Sequence, residues 1–273
     1  MTKLGMCNEL LKHLPLAEAF ARLGELGYDG IEVAPWTINP AVMAITADDG
    51  KRVREYAERA GAEILGLHWV FGETSEWHLT HPDPAVRRRT QDYLQHVVRL
   101  CGTMGGSVLI FGSPKQRRVL EGVTPEAAWG YAKAILGSAE FLEALDQHRV
   151  TFCLEPLSAN QTNFLSTTDE VIRFAREVAH PRFGMMLDGY TLGWAGEDAA
   201  AAIRQSAPYL RHFHADDETG KGPGFGQLDH APIAAALRGI GFAGYVSVEI
   251  HNYELDPDEC ASRCIRYLRR IFG

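Results

Sequence analysis

The sequence of 273 residues contains no apolar run near the ~18 residues that a membrane-spanning helix needs. Its first stretch, MTKLGMCNELLKHLPL, lacks the apolar centre of a signal peptide. The five cysteines do not form the CxxC pairs of a structural zinc site, and Cys260 and Cys264 are spaced to share one helix face. An odd number of cysteines without a secretory signal predicts buried free thiols in a cytoplasmic protein.

The chain also lacks an excess of basic residues, because its formal net charge is −8. A protein that binds a phosphate backbone needs a basic face, so this charge argues against nucleic-acid binding. No linker, low-complexity segment or second core interrupts the sequence, and its 46% hydrophobic and 23% charged residues are ordinary for a globular protein. We therefore expect one domain over residues 1–273.

Short apolar runs alternate with helical patterns along the whole chain. The predicted strands are Lys3–Asn8, Gly30–Ala34, Glu63–Val70, Ser107–Phe111, the run from Val150 to Pro156, Phe183–Asp188, Leu210–His214 and Gly244–Glu249. The predicted helices lie near Leu16–Leu26, Ala47–Ala60, Pro84–Leu100, Pro125–Leu145, Asp169–Val178, Glu197–Gln205, His230–Leu237 and Asp256–Ile271. Apolar strands alternating with helices indicate a parallel sheet covered by helices. Eight such units in a chain of about 250 residues predict an α/β fold, a single (β/α)8 TIM barrel.

Four consecutive predicted strands end in a side chain that can bind a metal: Glu155, Asp188, His214 and Glu249. The first lies in the stretch Val150–Gln161, where a lone carboxylate precedes Pro156. Active sites of such barrels lie at the carboxyl ends of the strands, so these four side chains are expected to meet there. Three carboxylates and one imidazole suit one divalent ion: manganese, magnesium, cobalt or zinc. The alternative is that the glutamates cap helices or pair with arginines.

Three further side chains are candidates for substrate contacts. His68 should point inward from the third strand, where a satisfied core histidine is the alternative. Lys115 and Arg117, in GSPKQR, would hold a phosphate, carboxylate or hydroxyl group, but such residues are more often exposed loop cations.

Two predicted loops are candidates for the rim of the barrel. Phe71–Asp83 is polar and aromatic and is expected to lie over the barrel mouth, whereas Gly222–Gly226 is read as a mobile loop and not as a phosphate cradle. The indoles of Trp36, Trp69 and Trp77 would form an apolar wall for a sugar, or pack in the core.

Several segments resemble the xylose isomerase-like TIM barrels, in particular the D-tagatose 3-epimerase and sugar phosphate isomerase/epimerase group. They are EPLSANQTNFLSTTDE, LTHPDPAVRRRTQDYL and PGFGQLD. The resemblance covers nearly the whole chain. It implies that Glu155, Asp188, His214 and Glu249 bind the metal, and that Glu155 and Glu249 are also the acid/base pair. Such a pair removes a proton beside a carbonyl, forms an enediolate and returns the proton.

The chain departs from this group around the sugar. Gln161 stands where the epimerases have a glutamate, and Thr191 stands where they have a histidine. Their arginine after the metal histidine is replaced by ADDETGKG, which contains Asp216, Asp217 and Lys221. Gln161 is still expected to bind substrate, and the substrate is expected to differ from a free ketohexose.

The sequence thus predicts a metal-dependent sugar isomerase or epimerase that acts on a small carbohydrate, with assembly into a homodimer or homotetramer left open. A lyase or dehydratase on a keto-sugar or keto-polyol would use the same metal and bases. An abasic-site endonuclease would need further metal ligands and a DNA-binding surface. A non-catalytic binding barrel need not retain all four ligands.

Overall fold

Eight parallel strands form a closed barrel in the computed structural model, which describes residues 2–72, 74 and 76–273. Each strand pairs with the next, and β1 also pairs with β8. The barrel predicted from the sequence is confirmed. The strands are β1 Leu4–Cys7, β2 Gly30–Val33, β3 Glu63–Leu67, β4 Val108–Phe111, β5 Thr151–Leu154, β6 Phe183–Asp188, β7 Leu210–His214 and β8 Val246–Val248.

Helices surround the barrel. They are α1 Leu16–Leu26, α2 Ala47–Arg59, α3 Pro84–Met104, α4 Pro125–Leu136, α5 Ala139–His148, α6 Thr168–Val178, α7 Gly189–Ala195, α8 Ala199–Ser206, α9 His230–Gly239 and α10 Pro257–Phe272. The predicted single helix over 125–145 is wrong, since α4 and α5 are separate. Their separation has a local cause: Ser138 caps α5 by accepting a hydrogen bond from the Phe141 N–H, and so begins a new helix.

Alternation along the strands decides which side chains reach the barrel interior. Ile110, Cys153 and Met186 form a small buried cluster of their own, apart from the main core in which Phe152 and Phe183 stack with centroids 5.2 Å apart. Side chains two residues apart on a strand share a face. Glu155 and Asp188 therefore continue the inward rows of Cys153 and Met186 to the carboxyl ends of their strands.

Polar contacts fasten the opposite, amino-terminal end of the barrel. Lys3 Nζ lies 2.7 Å from Glu63 Oε1, and the Tyr245 hydroxyl also donates to the Glu63 carboxylate. Arg269, near the end of α10, donates to Asp29 Oδ1 at 2.8 Å, while Asp29 Oδ2 accepts from the Leu4 N–H. These contacts join β1, β3, β8 and α10 at the face away from the predicted site.

All five cysteines are free and buried, as predicted. None of the described helices is both long enough and apolar enough to cross a membrane. The segment Phe71–Asp83 does lie between β3 and α3 as a connection, but Glu73 and Ser75 within it fall outside the described residues.

Candidate metal centre and catalytic cavity

Asp188, His214 and Glu249 converge at the carboxyl ends of β6, β7 and β8. His214 Nδ1 lies 2.8 Å from Glu249 Oε2 and 3.8 Å from Asp188 Oδ2. Ligand atoms of the three residues all lie within 4.8 Å of one another, which is close enough for a single ion to contact them together. The fourth candidate, Glu155, follows β5 and lines the same cavity as Glu249.

Asp188 tests whether these residues fit a cation. Its Oδ1 accepts hydrogen bonds from the N–H groups of Tyr190 and Thr191 at 2.6 and 3.1 Å, and so caps α7. Its Oδ2 is buried and has no hydrogen-bond partner among the described residues. An unpaired buried carboxylate oxygen that faces an imidazole and a second carboxylate is a suitable ligand for a divalent ion. Capping of α7 thus uses only one of the two oxygens of Asp188.

The carboxyl group of Glu155 occupies space that a glycine leaves open. A Cβ atom at Gly112 would stand 1.8 Å from Glu155 Oε2, so a side chain there would displace the carboxylate. Burial, together with the nearby Glu249 and Asp188, raises the pKa of Glu155 to about 8. A carboxylate in this position therefore needs a cation close by to stay ionised.

Glu32, inside β2, contacts His214 at Nε2, the ring nitrogen that faces away from Asp188 and Glu249. Its carboxylate lies 2.6 Å from His212 Nε2 and 3.1 Å from His214 Nε2, and all three side chains are buried. Burial alone would raise the pKa of Glu32, but His212 and then His214 lower it well below its usual value. Burial alone would lower the pKa of His214, whereas Glu32 and then Glu249 raise it. A proton on Nε2 that points at Glu32 leaves Nδ1 to face Asp188 and Glu249.

His68 lies behind Glu249 and does not line the cavity. It is completely buried, with Nε2 2.9 Å from Glu9 Oε2 and Nδ1 3.7 Å from Glu249 Oε1. Burial alone would raise the pKa of Glu249, but His214 and then His251 lower it well below its usual value. Because His68 contacts Glu249 from outside the cavity, it touches the predicted acid/base residue and not the space in which a substrate would lie.

Arg117 corrects an expectation, because it is buried and not an exposed loop cation. Its Nη1 donates to the Glu155 carbonyl and its Nη2 to the Phe111 carbonyl, both at 2.6 Å. A short 3-10 turn over Lys115–Arg117 directs the third residue inward, where the guanidinium also lies 4.9 Å from the Phe111 ring centre. Burial lowers the pKa of Arg117 to about 10. The side chain joins the carboxyl ends of β4 and β5 next to Glu155.

A cavity of about 230 Å³ opens beside these groups. It is lined by both predicted acid/base residues and by two of the predicted substrate contacts, Lys115 and Gln161, together with Trp69, Tyr253 and His251 among others. Gln161 Oε1 accepts from the Ser158 backbone N–H and hydroxyl at 3.1 and 2.8 Å, which fixes the orientation of its amide. Lys221 instead pairs with Glu254 at 3.0 Å and does not line this cavity.

Sequence reasoning missed His251 and the placement of Asp216. His251 Nε2 lies 3.8 Å from Asp188 Oδ2, 3.8 Å from Glu249 Oε2 and 3.7 Å from Asp216 Oδ2, and its ring packs on Tyr190. Asp216 is fully buried, and its Oδ2 lacks a hydrogen-bond partner in the part of the chain that the structure describes. Their spacing in the sequence is the signal that could have found them, since His251 follows Glu249 by two residues and Asp216 follows His214 by two.

The glycine-rich loop is held by the acidic segment that precedes it. Asp217 Oδ2 accepts from the N–H groups of Phe225 and Gly226, and Asp216 Oδ1 accepts from that of Gly222 at 2.8 Å. These bonds fasten the loop that the sequence suggested to be mobile. They also explain why buried aspartates, and not an arginine, follow His214.

Comparisons of this chain with known proteins agree on one family. The family model described as a xylose isomerase-like TIM barrel matches residues 20–271. A D-psicose 3-epimerase of Ruminiclostridium cellulolyticum is 24% identical over 233 residues, or 84% of this chain and 75% of the relative. A fructoselysine 3-epimerase of Shigella flexneri is 25% identical over 282 residues, or 98% of each chain.

Two solved structures have the same fold. A 3-keto-D-glucoside 4-epimerase from E. coli, in its apo form, superposes with a TM-score of 0.84 at 17% identity over 99% of this chain and all of the other. A protein named IOLI, crystallised with a bound zinc atom, gives 0.76 at 19% identity over 99% of this chain and 98% of the other.

Proposed function

The chain belongs to the xylose isomerase-like TIM barrel family, and from this membership and the site geometry we propose that it is a divalent-metal-dependent sugar epimerase or isomerase. The observation that carries the proposal is the convergence of Asp188, His214 and Glu249 beside a cavity that Glu155 and Glu249 both line. The two sequence relatives described above are named as 3-epimerases, of D-psicose and of fructoselysine, which supports the same class of reaction.

The metal would be held by Asp188, His214 and Glu249, with Glu155 completing the set. The unpaired Oδ2 of Asp188 and the Nδ1 of His214 support this assignment. A bound divalent cation would supply Lewis-acid stabilisation of negative charge on the substrate oxygens, worth several kcal/mol. In its absence the three carboxylates repel one another, so the ion also relieves a cost in the folded state.

Glu155 and Glu249 would act as base and acid. Each reaches the cavity from a different strand, so one, ionised, removes the proton next to the carbonyl while the other, protonated, donates a proton to the enediolate. Return to the opposite face of the same carbon gives an epimer, and return to the adjacent carbon gives an aldose–ketose isomer. Glu155 is buried, and the buried Arg117 donates a hydrogen bond to its carbonyl group. These contacts would exclude water from the Glu155 side of the acid/base pair.

His251 and Gln161 would bind the sugar hydroxyls. His251 Nε2 stands among three carboxylates at the cavity wall, at a position from which it can donate to a substrate oxygen. The resemblance implies a histidine at position 191, where this chain has a threonine. His251 would supply an imidazole in its place. Gln161 is pre-oriented by Ser158 and supplies a neutral contact in place of a carboxylate.

The substrate would be a ketose or related sugar with a different decoration from a free ketohexose. The relative that matches over nearly the full length of both chains is named for a ketose joined to lysine, which supports a substituted substrate. Gln161, Thr191 and the buried Asp216 differ from the residues that the resemblance implies for free ketohexoses.

The test is incubation of the manganese-loaded protein with free and substituted ketoses in heavy water. Epimerisation or isomerisation gives a product that is an isomer of the substrate, and solvent exchange at the reacting carbon introduces deuterium. Elimination by a lyase would instead create an absorbing enone or release a group. Absence of exchange and of isomer formation across the panel would overturn the proposal.

A further inference from the structure

A second cavity, of about 650 Å³, lies next to the catalytic one. Its walls are largely aromatic and include Trp36, Trp69, Phe71, Trp77 and Tyr93, and we refer to it as the aromatic groove. It is formed mainly by the segments that follow β2 and β3 together with Tyr93 in the middle of α3. The predicted wall of Trp36, Trp69 and Trp77 thus lines a cavity, while Trp36 and Trp77 also pack against the hydrophobic core.

The aromatic groove borders the catalytic cavity. Trp69 and Gly72 line both spaces, and Lys12, at the edge of the groove, places its ammonium 4.6 Å from the ring centre of Tyr253, which lines the catalytic cavity. A substrate too long for the catalytic cavity would therefore reach the groove beside Trp69. The groove is the larger of the two spaces, at about 650 Å³ against about 230 Å³ for the catalytic cavity.

The rings of the aromatic groove are fixed by their neighbours. Trp36 and Trp69 meet edge to face, with ring centres 5.4 Å apart, and Trp77 stacks on Tyr93 at 4.7 Å. Trp69 has φ of 44°, a left-handed backbone that is unfavourable for a residue with a Cβ atom and is typical of functional sites. This conformation occurs at the end of β3, where the indole divides the two cavities.

The groove also contains polar groups. They come from charged side chains, since Trp36 Nε1 is itself buried and its edge of the indole faces Gly72. Lys12 and Glu76 line the same space. A purely hydrocarbon occupant would leave these groups unused, whereas a sugar ring offers apolar C–H faces to the indoles and hydroxyl groups to the donors and the carboxylate.

From this arrangement we propose that the aromatic groove binds a second sugar ring joined to the sugar that reacts at the metal centre. The proposal rests on the proposed function and deepens it, since it assigns the substrate class to linked sugars and the specificity to Trp36 and its neighbours. The reacting ketose lies between Glu155 and Glu249, and its partner ring lies against Trp36 beyond Trp69.

Trp36→Ala tests the proposal, because Trp36 lines the aromatic groove and not the catalytic cavity. The substrates are fructose and glucosyl-fructoses linked through O4, O5 or O6. We expect kcat/KM for the preferred linked sugar to fall about 10-fold or more, as for loss of a buried indole contact, and kcat/KM for fructose to stay within about 3-fold. Trp194→Ala, at an exposed tryptophan that lines neither cavity, is the matched control. Equal losses on free and linked sugars, or no loss on either, would overturn the proposal.

Ala41→Trp provides a second test that leaves the core intact. Ala41 is exposed and lines the groove, so a large side chain there fills the space from the solvent side. Turnover of linked sugars should fall while that of fructose is retained. Unchanged turnover of the linked sugars would contradict the proposal even if Trp36→Ala failed to fold.

Binding without turnover separates this proposal from the proposed function. Calorimetry of the glucosyl-fructoses with manganese-loaded Glu249→Gln protein should show binding that Trp36→Ala weakens about 10-fold or more in the same background. If no sugar reacts with the parent protein but this binding is present, the proposed function fails and the groove assignment stands. If fructose reacts but none of the linked sugars binds or reacts better than fructose, the groove assignment fails and the proposed function stands.

Discussion

Glu32 and His214 meet inside the barrel, where Glu32 Oε2 lies 3.1 Å from His214 Nε2. The two residues are 182 positions apart in the chain, on β2 and β7. The contact orients the imidazole so that its other nitrogen, Nδ1, faces Asp188 and Glu249. A carboxylate in this position makes the ring a better ligand, since it holds one tautomer and increases the basicity of the coordinating nitrogen.

Glu32→Gln should therefore weaken metal binding without removing a ligand. We expect manganese affinity to fall about 10- to 100-fold, as for other partners of metal-binding histidines. Titration of the metal-free protein with manganese measures the change. Glu177→Gln, on the outer surface of α6, is the control and should bind like the parent. Equal affinities for Glu32→Gln and the parent would show that this contact only packs the core.

His214→Ala should abolish stoichiometric metal binding. The purified parent is expected to hold one divalent ion per chain, because Asp188, His214 and Glu249 converge on one point. Elemental analysis after exhaustive dialysis measures the content. His180→Ala, at a histidine that pairs with Asp146 away from the site, should retain the ion. A variant without His214 that still holds one ion per chain would rule out this set of ligands.

Glu249→Gln should lose catalysis beyond any loss of metal. The amide keeps an oxygen donor but has no useful basicity, so turnover should fall at least ~10²-fold, the scale of general-base catalysis. The measurement is made at saturating manganese, with metal content determined on the same sample. Turnover close to that of the parent under these conditions would exclude the acid/base role.

The strands could be predicted because each is a short apolar run, and the metal-binding candidates could be predicted because the last four runs lead into a carboxylate or imidazole side chain. Glu32 could have been found in the same way, as the one charge inside the apolar run GIEVA. His251 and Asp216 required the further step of following the two-residue alternation past the end of each strand.

Arg117 could not be predicted from the residues near it. It follows Lys115 and Gln116, and such a polar stretch is typical of an exposed loop. Its burial depends on the carbonyl of Glu155, which is 38 residues away in the chain and becomes adjacent only when β4 and β5 pair. The break between α4 and α5 is a similar case, since Gly137 and Ser138 are tolerated within a helical pattern and only the cap at Ser138 decides the outcome.

Arg117→Met should destabilise the protein and disturb Glu155. The guanidinium satisfies two buried carbonyl groups, and each unsatisfied buried acceptor costs about 1 to 3 kcal/mol. We expect the free energy of unfolding to fall by about 2 to 4 kcal/mol, measured by urea denaturation. The neighbouring Arg118→Met, at an exposed residue, should change it by less than about 1 kcal/mol. Similar values for the two variants would contradict a structural role for Arg117.

Free tagatose, fructose and psicose should be poor substrates of the parent protein. Gln161 and Thr191 provide neutral hydrogen bonds, which are roughly half as strong as charge-assisted ones. Loss of such contacts removes several kcal/mol of transition-state binding, which lowers kcat/KM by ~10³-fold. The measurement compares free ketohexoses with substituted and acidic sugar derivatives. A specificity constant near ~10⁴ M⁻¹s⁻¹ on a free ketohexose, at the low end of the usual enzyme range, would contradict this expectation.

The contacts among Lys3, Glu63 and Tyr245, and those of Arg269 with Asp29, also bear on how the protein could be handled as a catalyst. These polar contacts lie at one end of the barrel and the reactive carboxylates at the other. Immobilisation on a support through the carboxyl-terminal end of α10, next to Arg269, would therefore orient the mouth of the catalytic cavity and the aromatic groove toward the solution. Long or branched carbohydrates could then reach the site without obstruction by the support.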